Sequence, residues 1–220
     1  MKNYKYIFFD LDGTLLDTLN DIVYAINKTM EQFSYDLRFD YESGKYLIGS
    51  GAKILVQRAL SSLNLNEEQI NQFYEAYLPN YLKYQGMSTY PFETVIDTLK
   101  TLNDSGIKLF ITTNKPQKMS DDIIYRLNMN QYFIENIGQS ERFIRKPDPD
   151  VLNYLIKKYN INKEEILYVG DSSVDYEFAK TINLDMAFCD YGYETNKQQL
   201  IQKADYILYK FSDLLDIVNH

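Results

Sequence analysis

Residues 6–18 read YIFFDLDGTLLDT, and the stretch sets an electrostatic problem. Tyr6, Ile7, Phe8 and Phe9 make an apolar run suited to a strand covered on both faces. Asp10 and Asp12 stand at its end, with Asp17 close behind. Two carboxylates one residue apart repel each other, so something must offset that repulsion.

Further β-rich runs recur along the chain: GIKLFITTN at 106–114, FIENIGQS at 133–140, EILYVGDS at 165–172, DMAFCDY at 185–191 and ADYILYK at 204–210. Helical patterns separate them, such as Val95, Leu99 and Leu102 ahead of Gly106, a helix-stop residue. Strand and helix in alternation predict an α/β fold with a parallel, Rossmann-like sheet. The rhythm breaks between the first two strands, where residues 19–84 carry helical periodicity: Ile22, Ile26, Met30; Ile54, Leu55, Ala59; Ile70, Phe73, Tyr77, Tyr81. So long a helical stretch exceeds one crossover. The expected organisation is therefore a core of residues 1–16 and 88–220 with an inserted, all-helical cap domain of residues 17–87.

The 220 residues are 45% hydrophobic, with 21 Tyr and 12 Phe, enough to build a sizeable core. A formal charge of -8 argues against a nucleic-acid or anionic-membrane surface, which needs clustered Lys and Arg. The single cysteine, Cys189, excludes an intramolecular disulfide and reads as a core thiol. No run approaches the roughly 18 apolar residues of a membrane span, and no signal-peptide pattern opens the chain. A cytoplasmic protein, monomeric or homodimeric, is expected.

Ligands of open α/β sheets gather beyond the carboxyl ends of the strands. Here those ends carry Asp10 and Asp12, then Thr112, Thr113 and Asn114, then Asp171 and Asp175, with Arg145 and Lys146 after the third strand. Oxygen donors without a His or Cys cluster favour Mg²⁺ over zinc. The sole histidine, His220, is the last residue and is read as inert.

Together FFDLDGTLLDT, FITTNKP, RKPDPD and YVGDSSVDYEFAK resemble, in order, the four motifs of the haloacid dehalogenase superfamily. The resemblance implies a Mg²⁺-dependent phosphomonoester hydrolase working through an aspartyl-phosphate. Asp10 would be the nucleophile. Asp12 would be the general acid and then the base, and its presence argues against dehalogenation. Mg²⁺ would be held by Asp10, Asp171 and the Asp12 carbonyl, with Asp175 supporting them. Thr113 and the Asn114 N–H would bind phosphate oxygens, Thr112 being the competing hydroxyl, and Lys146 would neutralise charge. Leu11 would join the substrate contacts.

YLIGSGAKILVQRAL at 46–60 is similar to the phosphoglycolate phosphatase branch. On that likeness Gly49, Ser50, Gly51 and Lys53 are candidates for substrate binding, with Arg58 a further one that could instead project into solvent. CDYGYET at 189–195 resembles a Gly-Tyr segment of the same branch, and Asn183 is expected to take a left-handed turn. The partner is a small phosphorylated metabolite, with 2-phosphoglycolate leading. Rival readings are a pyrophosphatase, a nucleotidase, a phosphosugar mutase and a non-catalytic phosphate-binding module. Asp17, at the cap entrance, is expected to be structural.

Overall fold

The computed structural model describes residues 2–218; His220 lies outside them. The strands are β1 (Tyr6–Phe9), β2 (Leu16–Asp17), β3 (Tyr90–Pro91), β4 (Lys108–Pro116), β5 (Glu135–Gln139), β6 (Ile166–Gly170), β7 (Asp185–Cys189) and β8 (Tyr206–Leu208). Among the described residues one six-stranded sheet forms in the order β5-β4-β1-β6-β7-β8. Every pairing within it is parallel.

Alternation along β1 shows why the sheet needs cover on both sides. Ile7 and Phe9 pack with Leu99 and Ile123, whereas Phe8 packs with Leu152, Leu155 and Phe178. These partners come from α5 (Val95–Asp104) and α6 (Gln117–Arg126) on one face, and from α7 (Asp150–Tyr159) and α8 (Ser173–Thr181) on the other. Ile7, Phe8 and Phe9 are fully buried, and each contributes about 1.5–3 kcal/mol by leaving water. That anchors the strand firmly enough to hold charged residues at its end.

The chain leaves β1 toward β4 and β5 on one side and returns to β6 and β7 on the other. The carboxyl end of β1 is thus a topological switch point, where a crevice opens between diverging crossovers.

Among the described residues four helices lie between β2 and β3: α1 (Leu19–Gln32), α2 (Tyr41–Gly44), α3 (Ala52–Ala59) and α4 (Glu67–Tyr84). They enclose a separate apolar cluster that includes Ile26, Met30, Val56, Phe73 and Tyr77. Gaps at residues 33–40, 45–51 and 60–66 divide the helical pattern that the sequence suggested as one stretch. The chain enters and leaves this insert through the antiparallel ribbon of β2 with β3. Asp21 fastens the exit, accepting from the Gly86 and Ser88 N–H groups at 2.7 and 2.9 Å and from the Thr89 hydroxyl at 2.6 Å.

Asn183 has φ 60, the left-handed turn expected of it. Cys189 is buried and accepts from the Tyr191 hydroxyl at 3.2 Å. No described helix is long and apolar enough to cross a membrane.

Candidate active site

A cavity of about 410 Å³ opens at the switch point between the sheet and the helical insert. Asp10, Asp12, Thr113, Asn114, Lys146 and Asp171 line it from the sheet side. Thr112 is fully buried with its hydroxyl toward Tyr168, so Thr113 is the threonine that faces the cavity. The shift in the β4–β5 register between Thr112 and Pro116 accounts for this, since it turns residues 113–115 away from regular pairing.

Asp10 and Asp12 are held by different lysines. Lys146 Nζ lies 2.7 Å from Asp10 Oδ1 and 2.7 Å from Asp175 Oδ1. Lys115 Nζ lies 2.9 Å from Asp12 Oδ1 and 3.2 Å from Oδ2. Both ammonium groups are almost wholly buried, at 4% and 1% side-chain exposure, so these pairs act with little solvent screening. Removing either lysine would leave a desolvated carboxylate without a counter-charge.

Burial by itself would push the Lys146 pKa down. The charges of Asp10 and Asp175 outweigh it and carry Lys146 well above the ordinary lysine value. Asp10 is pushed up to about 7, by burial first and by Asp175 and Asp12, against the pull of Lys146. Asp171 is raised well above the usual carboxylate range by burial and then by Asp175 and Asp10.

Among the described residues Asp171 meets only neutral donors, the Thr14 hydroxyl at 3.0 Å and the Tyr193 N–H at 2.8 Å. Oxygens of Asp10, Asp171 and Asp175 lie within 4.8 Å of one another. Three buried carboxylates around one lysine leave an uncompensated negative charge, and a hard, oxygen-seeking cation fits that donor set. The Asp12 carboxylate is not in this cluster, being turned toward Lys115.

Asp175 also closes the start of α8. Ser172 is the N-cap, its side chain accepting from the Asp175 N–H, and Asp175 Oδ2 accepts from the Ser172 N–H and hydroxyl. One carboxylate thus serves the helix end with one oxygen and Lys146 with the other.

The Asn114 side chain is fully engaged in tying loops together. Its Oδ1 accepts from the Lys146 N–H at 2.6 Å, and its Nδ2 donates to the carbonyls of Lys146 and Gly49 at 3.3 Å each. The Gly49–Gly51 turn therefore meets the sheet through backbone contacts. Gly51, at φ 86, caps α3, and a Cβ there would stand 2.9 Å from Gln139 Oε1. The positive φ is what favours glycine here, since the Gln139 side chain can give way.

The other residues of that turn divide. Gly49, Ser50 and Gly51 line the cavity, whereas Lys53 is exposed on α3 and stands outside the lining. Arg58 folds back, donating to the carbonyls of Ile48 at 2.6 Å and Leu47 at 3.2 Å and to the Ser50 hydroxyl at 3.1 Å. Leu11 is buried in the sheet's core, and its carbonyl accepts from the N–H groups of residues 14–16.

A family model described as haloacid dehalogenase-like hydrolase matches residues 7–189. The chain belongs to that family. A phosphoglycolate phosphatase from Vibrio vulnificus is 33% identical over 219 residues, covering 97% of this chain and 96% of its own. A solved structure from Haemophilus somnus, described as a predicted phosphoglycolate phosphatase, is 30% identical with a TM-score of 0.89, covering 99% of each chain. A protein from Lactobacillus delbrueckii reaches a TM-score of 0.90 at 26% identity, again over 99% of each chain. The hydrolase is thereby a phosphatase of this family.

Several groups of this hydrolase's site are silent in its sequence. Lys115 follows Asn114 directly, and only the register shift of β4 shows that it turns inward to Asp12. Tyr77 and Tyr81 read as helix-core aromatics, yet both line the cavity. The Tyr193 hydroxyl accepts from the Thr18 N–H at 2.7 Å and donates to Asp17 Oδ1 at 2.7 Å. The likeness of CDYGYET, residues 189–195, to a Gly-Tyr segment is the one signal pointing to it.

Proposed function

We propose that this phosphatase hydrolyses 2-phosphoglycolate, with Mg²⁺ as cofactor and Asp10 as nucleophile, in a two-step displacement. The observation that carries the chemistry is Asp10 at the cavity wall, paired to Lys146 and clustered with Asp171 and Asp175. Full-length likeness to phosphoglycolate phosphatases supports the substrate.

In the first step the Asp10 carboxylate attacks phosphorus and the bond to the ester oxygen breaks. Asp12 gives that oxygen its proton, and the alcohol departs. In the second step Asp12 takes a proton from water, whose oxygen attacks the phosphorus of the aspartyl-phosphate, releasing phosphate and restoring Asp10. Lys146 offsets charge on the nucleophile and the phosphoryl group, while the Thr113 hydroxyl and Asn114 N–H hold phosphate oxygens. Asp10, Asp171 and the Asp12 carbonyl would hold Mg²⁺, with Asp175 behind them. The ion supplies charge neutralisation at the phosphoryl oxygens.

The helices of residues 17–87 act in this reading as a cap that excludes water from the cavity. A buried, unpaired Cys189 accords with a reducing, cytoplasmic setting. Phosphate release measured with Mg²⁺ across 2-phosphoglycolate, sugar phosphates, nucleotides and pyrophosphate tests the assignment. A kcat/KM led by pyrophosphate or a nucleotide would move the enzyme to a different substrate class.

A further inference from the structure

Among the described residues the cavity is lined by four cations, and three of them donate no hydrogen bond to an aromatic residue of the insert. Lys146 is shared by Asp10 and Asp175. Arg58 is spent on the carbonyls of its own turn. Lys45 pairs with Glu42 at the exposed edge of α2. Lys115 is also paired, to Asp12, and differs in reaching across to the insert, where its Nζ donates to the Tyr81 hydroxyl and lies 4.5 Å from the centre of that ring.

Tyr77 and Tyr81 stand one turn apart on α4, so they share a face. Their rings stack at 5.7 Å and 9°. Burial, followed by the charge of Asp12, raises both phenols above the ordinary tyrosine value, so each keeps its proton near neutral pH. Tyr77 is 1% exposed and lines the cavity, and its hydroxyl meets no hydrogen-bond partner among the described residues. Tyr81 accepts from Lys115 and still has its own proton to give. An ammonium and two stacked, neutral phenols on one wall of the cavity are a donor set for an anion.

We propose that Lys115, Tyr77 and Tyr81 form the subsite for a carboxylate carried one carbon from the ester oxygen of the substrate. The inference rests on the phosphatase reading above, because it takes Asp12 as the group that meets the leaving oxygen. A leaving group beside Asp12 brings a carboxylate one methylene away next to Lys115, which touches Asp12 already. The substrate's carboxylate replaces that of Asp12 as the partner of Lys115, and the Asp12 side chain turns to the ester oxygen. An ester without a carboxylate leaves the Lys115–Asp12 pair closed. Selection for the acid thus arises from the same contact that holds the resting site together.

The test compares kcat/KM of the Mg²⁺-loaded enzyme for 2-phosphoglycolate, 2-phospholactate and ethyl phosphate. Wild type is expected to favour the two carboxylated esters. In Lys115→Met the ratio of 2-phosphoglycolate to ethyl phosphate falls by about 10- to 100-fold, chiefly through KM, as the loss of a charge-assisted contact requires. Lys115→Arg restores part of the ratio. Tyr77→Phe leaves the Lys115–Asp12 pair in place and lowers the ratio by roughly 2- to 10-fold, the value of one neutral hydrogen bond.

If Lys115→Met fails to fold, Tyr77→Phe decides alone. An unchanged ratio in the folded variants would overturn the subsite and leave Lys115 as a counter-charge for Asp12 only. A wild type that favours 2-phospholactate over 2-phosphoglycolate supports the subsite while refuting glycolate as the leaving group. One that ignores the carboxylate overturns the subsite outright.

Discussion

Tyr193 binds Asp171 with its backbone and the entrance of the helical insert with its side chain. The N–H donates to Asp171 Oδ2 at 2.8 Å, while the phenol accepts from the Thr18 and Leu19 N–H groups at 2.7 and 3.2 Å and donates to Asp17. One residue thus joins the acid cluster to the start of α1. Tyr193→Phe keeps the first contact and strips the second, leaving the buried Thr18 N–H without an acceptor while the Leu19 N–H keeps Asp17 Oδ1 at 3.4 Å. Urea unfolding is expected to show a loss of about 1–3 kcal/mol. Metal affinity, read from the Mg²⁺ dependence of Tm, is retained because the N–H is untouched.

Gly13 lets Asp171 come close. At φ 91, its Cβ would stand 2.3 Å from Asp171 Oδ2 and 2.7 Å from the Tyr193 ring. Gly13→Ala must push Asp171 aside and strain the turn. Mg²⁺ affinity is expected to weaken by about 10-fold or more, within the range for displaced ligand shells. A titration of Tm with Mg²⁺ measures it.

The acid motif was legible because strand ends carried it. Asp10, Asp12, Asp171 and Lys146 fall just beyond apolar runs or in the loop after one, and the parallel sheet order brings those ends together. Asp17 was readable as structural, and it accepts from Tyr193 and from Tyr41. The second lysine was not readable. Lys115 continues a strand whose local bulge depends on pairing with β5, which no local pattern encodes. Tyr77 and Tyr81 were hidden for a different reason: helical periodicity marks a buried face without saying whether a core or a cavity covers it. Lys53 shows the converse error. Its neighbour Ser50 faces the cavity, but the first turn of α3 rotates Lys53 into solvent.

Acid groups whose protons are held by burial make metal-free stability depend on pH. A carboxyl raised from 3.8 to about 7, as at Asp10, keeps a proton in the folded protein that the unfolded chain has released. Between those values stability falls as pH rises, and Asp171 acts in the same direction. Mg²⁺ competes with these protons, so its affinity increases with pH. Tm is expected to gain more from saturating Mg²⁺ at about pH 8 than at about pH 5.5. Equal gains at both values would count against binding at these carboxylates.

Asp10→Asn removes the nucleophile while keeping the shape of the side chain. kcat for 2-phosphoglycolate and for an aryl phosphate should both drop by at least about a thousandfold, since every ester must pass through the same attack. Full activity in a folded Asp10→Asn protein would remove Asp10 from the chemistry.

Stereochemistry at phosphorus tests the two-step account most directly. A phosphorothioate ester made chiral at phosphorus with two oxygen isotopes is turned over in water of the third, and the configuration of the released thiophosphate, which carries sulfur and all three isotopes, is read. Attack by Asp10 and then by water inverts phosphorus twice, so net retention is the predicted result. Net inversion would mean that water attacks the ester directly, and it would contradict the aspartyl-phosphate mechanism.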